Sequence, residues 1–346
     1  MTSSQNFDLI QQTIAFISLS INILMIFLIL FKSPKSLEAY KNLLILMTLS
    51  ELGFSIIDFL IMPEIISHGH FWIVGTHSKK SLIPVGVAYP LILFWVAAYG
   101  IVIACFGIHF IFRYCMVVGI RKWVSGPKML TIWFSVPVIT GVLYAFTIHE
   151  FLGFNRNLEG LVRSSLPTFQ NLSITDMAYI GFSLYSSPGS AETQKINWTN
   201  MSGVALLGSI VILSFIIMTT FAVKAHKAIQ KLTDSCVNLS TVAQALQKQL
   251  FYSLVVQTLI PIFLIHFPTG LIIFSSFFGA GRKFYGDFIT ITISRFPLVD
   301  PLPSMIIIKP YREALMGEFE FSEKFLDSGD YEILNSMILG FDYIRL

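Results

Sequence analysis

Seven long apolar runs dominate this chain: Ile10 to Phe31, Asn42 to Ser67, Val87 to Phe112, Met129 to His149, Met201 to Val223, Leu250 to Ser276 and Phe288 to Lys309. Each supplies the roughly 20 residues that a helix needs to cross a hydrocarbon core of about 30 Å. Such a segment has no water to satisfy its backbone, so every run must be a helix despite its many β-branched and aromatic residues. Composition agrees: 54% of the 346 residues are hydrophobic and 12% are charged, too few charges for a water-exposed surface. The expected fold class is an all-α integral membrane protein, a seven-transmembrane helix bundle. The receptor domain spans 1–312 and a tail spans 313–346.

The loops set the orientation, because Lys and Arg resist translocation. Lys32 to Lys41, Arg113 to Lys128 and Lys224 to Lys248 carry three, four and four of them and read as cytoplasmic. His68 to Pro84, Glu150 to Asn200 and Ala280 to Asp287 carry two, three and two over a longer stretch, and Met1 to Leu9 carries none. The N-terminus is therefore expected outside and the C-terminus inside. The long Glu150 to Asn200 loop holds acceptor patterns for glycosylation at Asn171, Asn197 and Asn200, on the side that charge makes external. Asn238 carries the same pattern in a cytoplasmic loop, so the pattern alone is weak. Met177 to Ser186 is apolar but too short to span. Tyr311, Leu315, Met316 and Phe319 share a face after Pro310, the pattern of a short helix along the inner leaflet. The tail from Glu318, with seven acids against two bases, reads as solvated.

Several function classes fall away. A net charge of +3 spread over short loop clusters gives no nucleic-acid surface, and three cysteines give neither a disulfide framework nor a metal site. The histidines have no ligand spacing, and His149-Glu150 lacks the second histidine of a zinc protease motif. No enzyme, cofactor or metal is expected.

Intramembrane ionisable groups are costly and mark function or fixed packing. Glu51, Asp58, Arg295 and Asp300 are four such groups. Glu51 and Asp58, seven residues apart, share a face of the second span. Rise per residue puts Glu51 and Asp300 at one depth, and Asp58 and Arg295 together nearer the outside. Arg295 must then meet an anion, either Asp58 or an acidic ligand, and an internal pair with Asp58 is the favoured reading. Pro301 and Pro303 after Asp300 allow a kink. Arg113 ends the third span, where it either snorkels as an anchor or, with Tyr114, Lys224, Lys227 and Lys231, meets a cytosolic partner. A pocket is expected among the outer halves of the third, fifth, sixth and seventh spans, with Tyr89, Phe94, Trp95, Tyr99, His266 and Phe267 as its walls.

Ser33-Pro34-Lys35-Ser36-Leu37 with Tyr40-Lys41, the Arg113-Tyr114 pair, Gln249-Leu250-Phe251-Tyr252, Val256 to Pro261, and Pro297-Leu298-Val299-Asp300-Pro301-Leu302-Pro303 leading to Tyr311-Arg312 occur in that order. In this combination the chain resembles the nematode serpentine chemoreceptors of the Str (class r) group and their Srj relatives. That resemblance implies a chemosensory G-protein-coupled receptor in the plasma membrane of sensory cilia. Its partners would be a small odorant or tastant, a heterotrimeric G protein alpha subunit and the lipid bilayer, and a dimer is compatible with it. Arg113 is similar to the arginine of the rhodopsin-like inner-mouth motif, with Phe112 where that motif has an acid. A seven-helix ligand-gated channel and a secondary transporter remain as alternatives. The first needs the opposite orientation and the second paired interrupted repeats, which are not evident here.

Overall fold

The computed structural model describes residues 3–34, 38–124, 126–153, 158–160, 162–163, 176–186, 195–234 and 241–323. The chain runs through α1 (Ser3–Lys32), α2 (Glu38–Ile61), β1 (Glu64–His68), β2 (Phe71–His77), α3 (Val85–Val118), α4 (Arg121–Val124) and α5 (Pro127–Leu152). It continues through β3 (Met177–Ser183), α6 (Trp198–Asp234) and α7 (Thr241–Pro261). The turn Ile262–His266 leads on to α8 (Phe267–Phe277), then α9 (Lys283–Val299), α10 (Leu302–Ile307) and α11 (Lys309–Glu323). Among the described residues six helical stretches are long and apolar enough to cross a membrane. A seventh comes from Lys283–Ile307, which meets Lys309–Met316 at a bend of 95°.

The breaks follow the prolines. Pro261 opens a wide, π-type turn between α7 and α8, and Pro301 and Pro303 divide α9 from α10. Proline at 301 has no N–H for the carbonyl of Pro297. The Asn22 amide of α1 donates to that carbonyl at 2.7 Å instead, satisfying a group that lipid would leave bare. Where α3 crosses α5 the backbones approach closely. A Cβ on Gly100 would sit 2.8 Å from the Tyr144 Cβ, and one on Gly141 would sit 2.8 Å from the Ala97 carbonyl, the small-residue contact that substitutes for hydrophobic drive in a bilayer.

One expected span is too long. The reading of Asn42 to Ser67 as a single helix is corrected by the structure: α2 ends at Ile61, Met62 takes a positive φ of 45°, and Glu64–His68 forms β1. β1 pairs antiparallel with β2, and β2 with β3, in the order β1-β2-β3. The apolar Met177 to Ser186 stretch thus finds its partner as a strand, since an unpaired backbone there would be unsatisfied. Gly75 is required against Tyr179, where a Cβ would meet the Ala178 carbonyl at 2.8 Å. The hairpin tip at Gly69 exchanges two backbone hydrogen bonds with Gly281, 3.0 and 3.1 Å, tying the sheet to the start of α9. Lys80, a buried residue, anchors α1 to the same end: its ammonium lies 3.1 Å from Asp8, 3.7 Å from Glu64 and 5.0 Å from the Phe7 ring centre. His77 nearby is held below the usual histidine pKa, first by burial and partly by Lys80.

The sheet forms a cap over one end of the bundle, the sheet end. At the sheet end lie the two expected glycosylation positions that fall on described residues. Asn197 caps the start of α6, its Oδ1 accepting from the Asn200 N–H at 3.2 Å. Asn200 donates its amide to the Phe151 carbonyl at 2.5 Å and accepts from the Ser183 N–H at 2.9 Å. At 7% and 4% exposure these side chains are parts of the fold. Asn171 lies outside the described residues.

Candidate functional site

Beneath the sheet is a cavity of about 350 Å³. Its cap comes from Ile65, Trp72, Val74 and Ile180, its floor from Phe54, Trp95 and Tyr99, and its sides from α5, α6, α8 and α9. The wall is almost wholly apolar, and the polar groups are few. The Tyr99 hydroxyl bonds His266 Nδ1 at 2.8 Å, and the His266 ring packs edge-on against Phe215 at 5.0 Å. Trp72 Nε1 is buried with no hydrogen-bond partner among the described residues. A volume at the low end of small-molecule pockets, with few convergent polar groups, suits a compact, weakly polar ligand.

Of the expected wall residues, Trp95, Tyr99 and His266 line this cavity. The other expected walls are corrected. Phe94 and Phe267 are 64% and 66% exposed on the membrane side, and the Tyr89 hydroxyl is bonded to His149 Nδ1 at 2.8 Å outside the cavity. The cap departs from the sequence expectation, since β1 continues an apolar run that fits a helix and β2 falls in an expected loop. The signal was present in the β-branched and aromatic run Ile65 to Thr76, interrupted by Gly69-His70.

Arg295 is exposed on the outer side of α9 and lines no part of the cavity. The favoured pair with Asp58 is therefore corrected. Asp58, 1% exposed, takes a hydrogen bond from Trp95 Nε1 at 3.3 Å and lies beside Ser294. Successive helix residues point about 100° apart, so Ser294 faces inward where Arg295 faces out, its long stem free to snorkel. Arg295→Leu is accordingly expected to keep surface expression within about twofold of the parent, read by antibody binding to intact cells. A several-fold loss would restore a structural partner for the arginine.

Below the cavity runs a chain of buried polar groups. Ser18 and Ser55 share a hydrogen bond of 2.7 Å, and Asn22 holds the Pro297 carbonyl as described. The Glu51 carboxyl lies beside that of Asp300. Gln257 donates to the Asp300 carbonyl at 2.9 Å and accepts from Ser304 at 3.2 Å, and Ser304 meets Ser253 at 3.0 Å. The equal depth expected of Glu51 and Asp300 is thus realised as a direct contact linking α2 to the C-terminal end of α9. Asn22 went unremarked in the sequence, since a lone asparagine in an apolar run has no distinguishing spacing.

At the opposite end Arg113 is fully buried. Its Nη1 donates to Gln247 Oε1 on α7 at 2.6 Å, and its guanidinium lies 4.5 Å from the centre of the Tyr40 ring of α2. The Tyr40 hydroxyl in turn bonds His109 Nδ1 at 2.9 Å. Arg113 therefore does not present itself at the mouth in this state, as a partner contact would require. Tyr114 packs edge-on against Phe221 at 5.8 Å, Lys224 lies 5.1 Å from that ring, and Lys224, Lys227 and Lys231 are exposed. Among the described residues no group of three or more His, Cys, Asp or Glu side chains is placed to hold a metal.

Six spans and a broken seventh, hollow at one end and latched through a buried arginine at the other, define a seven-helix membrane protein of the receptor type. The crystal structure of squid rhodopsin matches with a TM-score of 0.57 over 96% of this chain and 85% of that one, at 13% identity, which establishes the fold. The sequence profile of the serpentine type 7TM GPCR chemoreceptor Str family matches residues 7–316, and the chain belongs to that family. A Caenorhabditis elegans relative, G-protein coupled receptor str-217, is 27% identical over 88% of this chain and 86% of its own length. Serpentine receptor class r-10 of the same species is 24% identical over 82% of each. The family is one of multi-pass membrane receptors and not of enzymes.

Proposed function

We propose that the chain is a chemosensory receptor that binds a small odorant or tastant in the cavity under the sheet and activates a heterotrimeric G protein at the opposite end. On this reading the N-terminus and the sheet are extracellular, the C-terminus is cytoplasmic, and the receptor sits in the plasma membrane of sensory cilia. The observation that carries it is the juxtaposition of one apolar cavity, holding the Tyr99–His266 pair, with an Arg113 latch that spans the helices below it. Opening that latch frees a cation beside the basic face of Lys224, Lys227 and Lys231. Loop charges support the orientation. The names of the relatives support the coupling.

The test is a panel of volatile and soluble compounds applied to cells expressing the chain, read by calcium or cAMP. At least one weakly polar compound should evoke a response. His266→Phe keeps the ring volume and removes the hydrogen bond to Tyr99, and should raise the half-maximal concentration of that compound about tenfold, the value of one hydrogen bond of ~1.4 kcal/mol. In the same cells, an antibody should reach a tag at Met1 without permeabilisation and a tag at Leu346 only with it. A response untouched by His266→Phe removes this cavity as the binding site, and a C-terminal tag accessible on intact cells removes the orientation.

A further inference from the structure

The cavity is closed where water would reach it and open where lipid lies. Its cap residues Ile65, Val74 and Ile180 are 6%, 7% and 2% exposed, sealed by the three-stranded sheet. On its flank, α6 and α8 line it with residues that also face the membrane: Ile212 is 62% exposed, and Gly270 is exposed as well. Two glycines stand in this flank, Gly208 on α6 and Gly270 on α8, and a Cβ added to either meets no heavy atom within 4 Å. Packed transmembrane glycines, such as Gly141, meet neighbours at once, so these two mark unfilled space between helices. Depth places the gap in hydrocarbon. Gly208 lies ten residues along α6 from Trp198, roughly 15 Å, and Gly270 lies seven residues from Phe277, roughly 10 Å. Around it Leu213, Ile216 and Phe274, 59%, 57% and 61% exposed, present apolar surface to the bilayer.

We propose that ligands reach and leave the cavity sideways through the gap between α6 and α8 at Gly208 and Gly270, so that this receptor takes uncharged small molecules dissolved in the lipid. The inference rests on the reading of the cavity as a ligand site, and its test does not use signalling. A charged molecule would face the hydrocarbon penalty before it reached the gap, whereas an apolar one is concentrated there. Leucine at either glycine enters open space, so it fills the gap without displacing packed atoms.

The experiment uses the full chain in lipid nanodiscs and the apolar fluorophore 1-aminoanthracene, followed by stopped-flow fluorescence. The fluorophore should bind. Gly208→Leu and Gly270→Leu should each slow its association and dissociation together about tenfold, the double variant more, and Gly208→Ala less than Gly208→Leu. Rates equal to the parent, or a loss of affinity with the association rate kept, would overturn the lateral route, as would a failure of the fluorophore to bind the parent. Slowed exchange in a chain that answers no compound would leave the lateral route standing and remove the receptor reading instead.

Discussion

Gln247→Leu is expected to make the receptor signal without ligand. Arg113 is buried, and its charge-assisted hydrogen bond to Gln247 Oε1, 2.6 Å, holds the end of α3 to the end of α7. A hydrogen bond to a charged group contributes about 1.5–3 kcal/mol. Leucine has nearly the volume of glutamine but no acceptor, so the closed arrangement alone loses that energy. Each ~1.4 kcal/mol is tenfold in an equilibrium. A released state populated at about 1% would then rise to between roughly 10% and 60%. Gln247→Glu should act in the opposite sense, since a carboxylate facing the guanidinium strengthens the closed contact. G-protein activation measured at matched surface levels, without ligand, decides the matter. Basal activity unchanged in both variants, or moved in the same direction by both, would show that this contact is packing and not a latch.

The neutral latch also explains a departure visible in the sequence. Phe112 stands where a rhodopsin-like inner-mouth motif has an acid, and it packs into the core beside Tyr40, 6.0 Å between ring centres, at 1% exposure. The work of holding Arg113 passes to an aromatic face and an amide. Arg113→Ala is therefore expected to lose signalling while the protein still reaches the surface, because alanine removes a buried cation as well as its partners' target. Normal signalling from a well-expressed Arg113→Ala variant would separate the arginine from the signal.

The helices were legible because lipid leaves the backbone one solution, and length with apolarity suffices to find it. The sheet was not. Ile65 and Ile66 continue an apolar run without a break that periodicity could register, and the turn from α2 to β1 depends on Met62 accepting a positive φ and on the pairing of β2 with a strand about a hundred residues away. Depth placed Glu51 beside Asp300 and Asp58 beside Arg295 alike. Only rotation about the helix axis separates the two cases. A difference of one residue, Ser294 against Arg295, turns a carboxylate partner into a lipid-facing side chain. The same limit explains the pocket walls: Trp95 and Tyr99, four residues apart on α3, face the cavity, while Phe94, one position earlier, faces out.

Glu51→Leu is expected to reduce the folded protein at the surface several-fold, and Glu51→Gln to leave it near the parental level. The two carboxyl groups of Glu51 and Asp300 are both buried, at 2% and 0% exposure. Carboxylates only accept, so neither of the two can donate to the other. Glutamine supplies an N–H in the same place and keeps the link between α2 and α9. Leucine leaves Asp300 facing an apolar side chain, with Gln257 as its remaining side-chain donor at 3.3 Å. An unsatisfied buried acceptor costs about 1–3 kcal/mol, more when charged, against a total stability of about 5–15 kcal/mol. Losses of ~1–2 kcal/mol already change abundance several-fold. Joining Glu51→Leu with Asp300→Leu removes both acceptors and should recover most of the surface level, because replacing both partners by apolar groups is close to neutral. That double variant should still respond poorly to ligand, since the polar chain from Asn22 through Gln257 to Ser304 would lack its centre. Surface levels equal in Glu51→Leu and the parent would show that the carboxyl contact carries no weight in the fold. A double variant worse than both single variants would show that Asp300 has another essential partner.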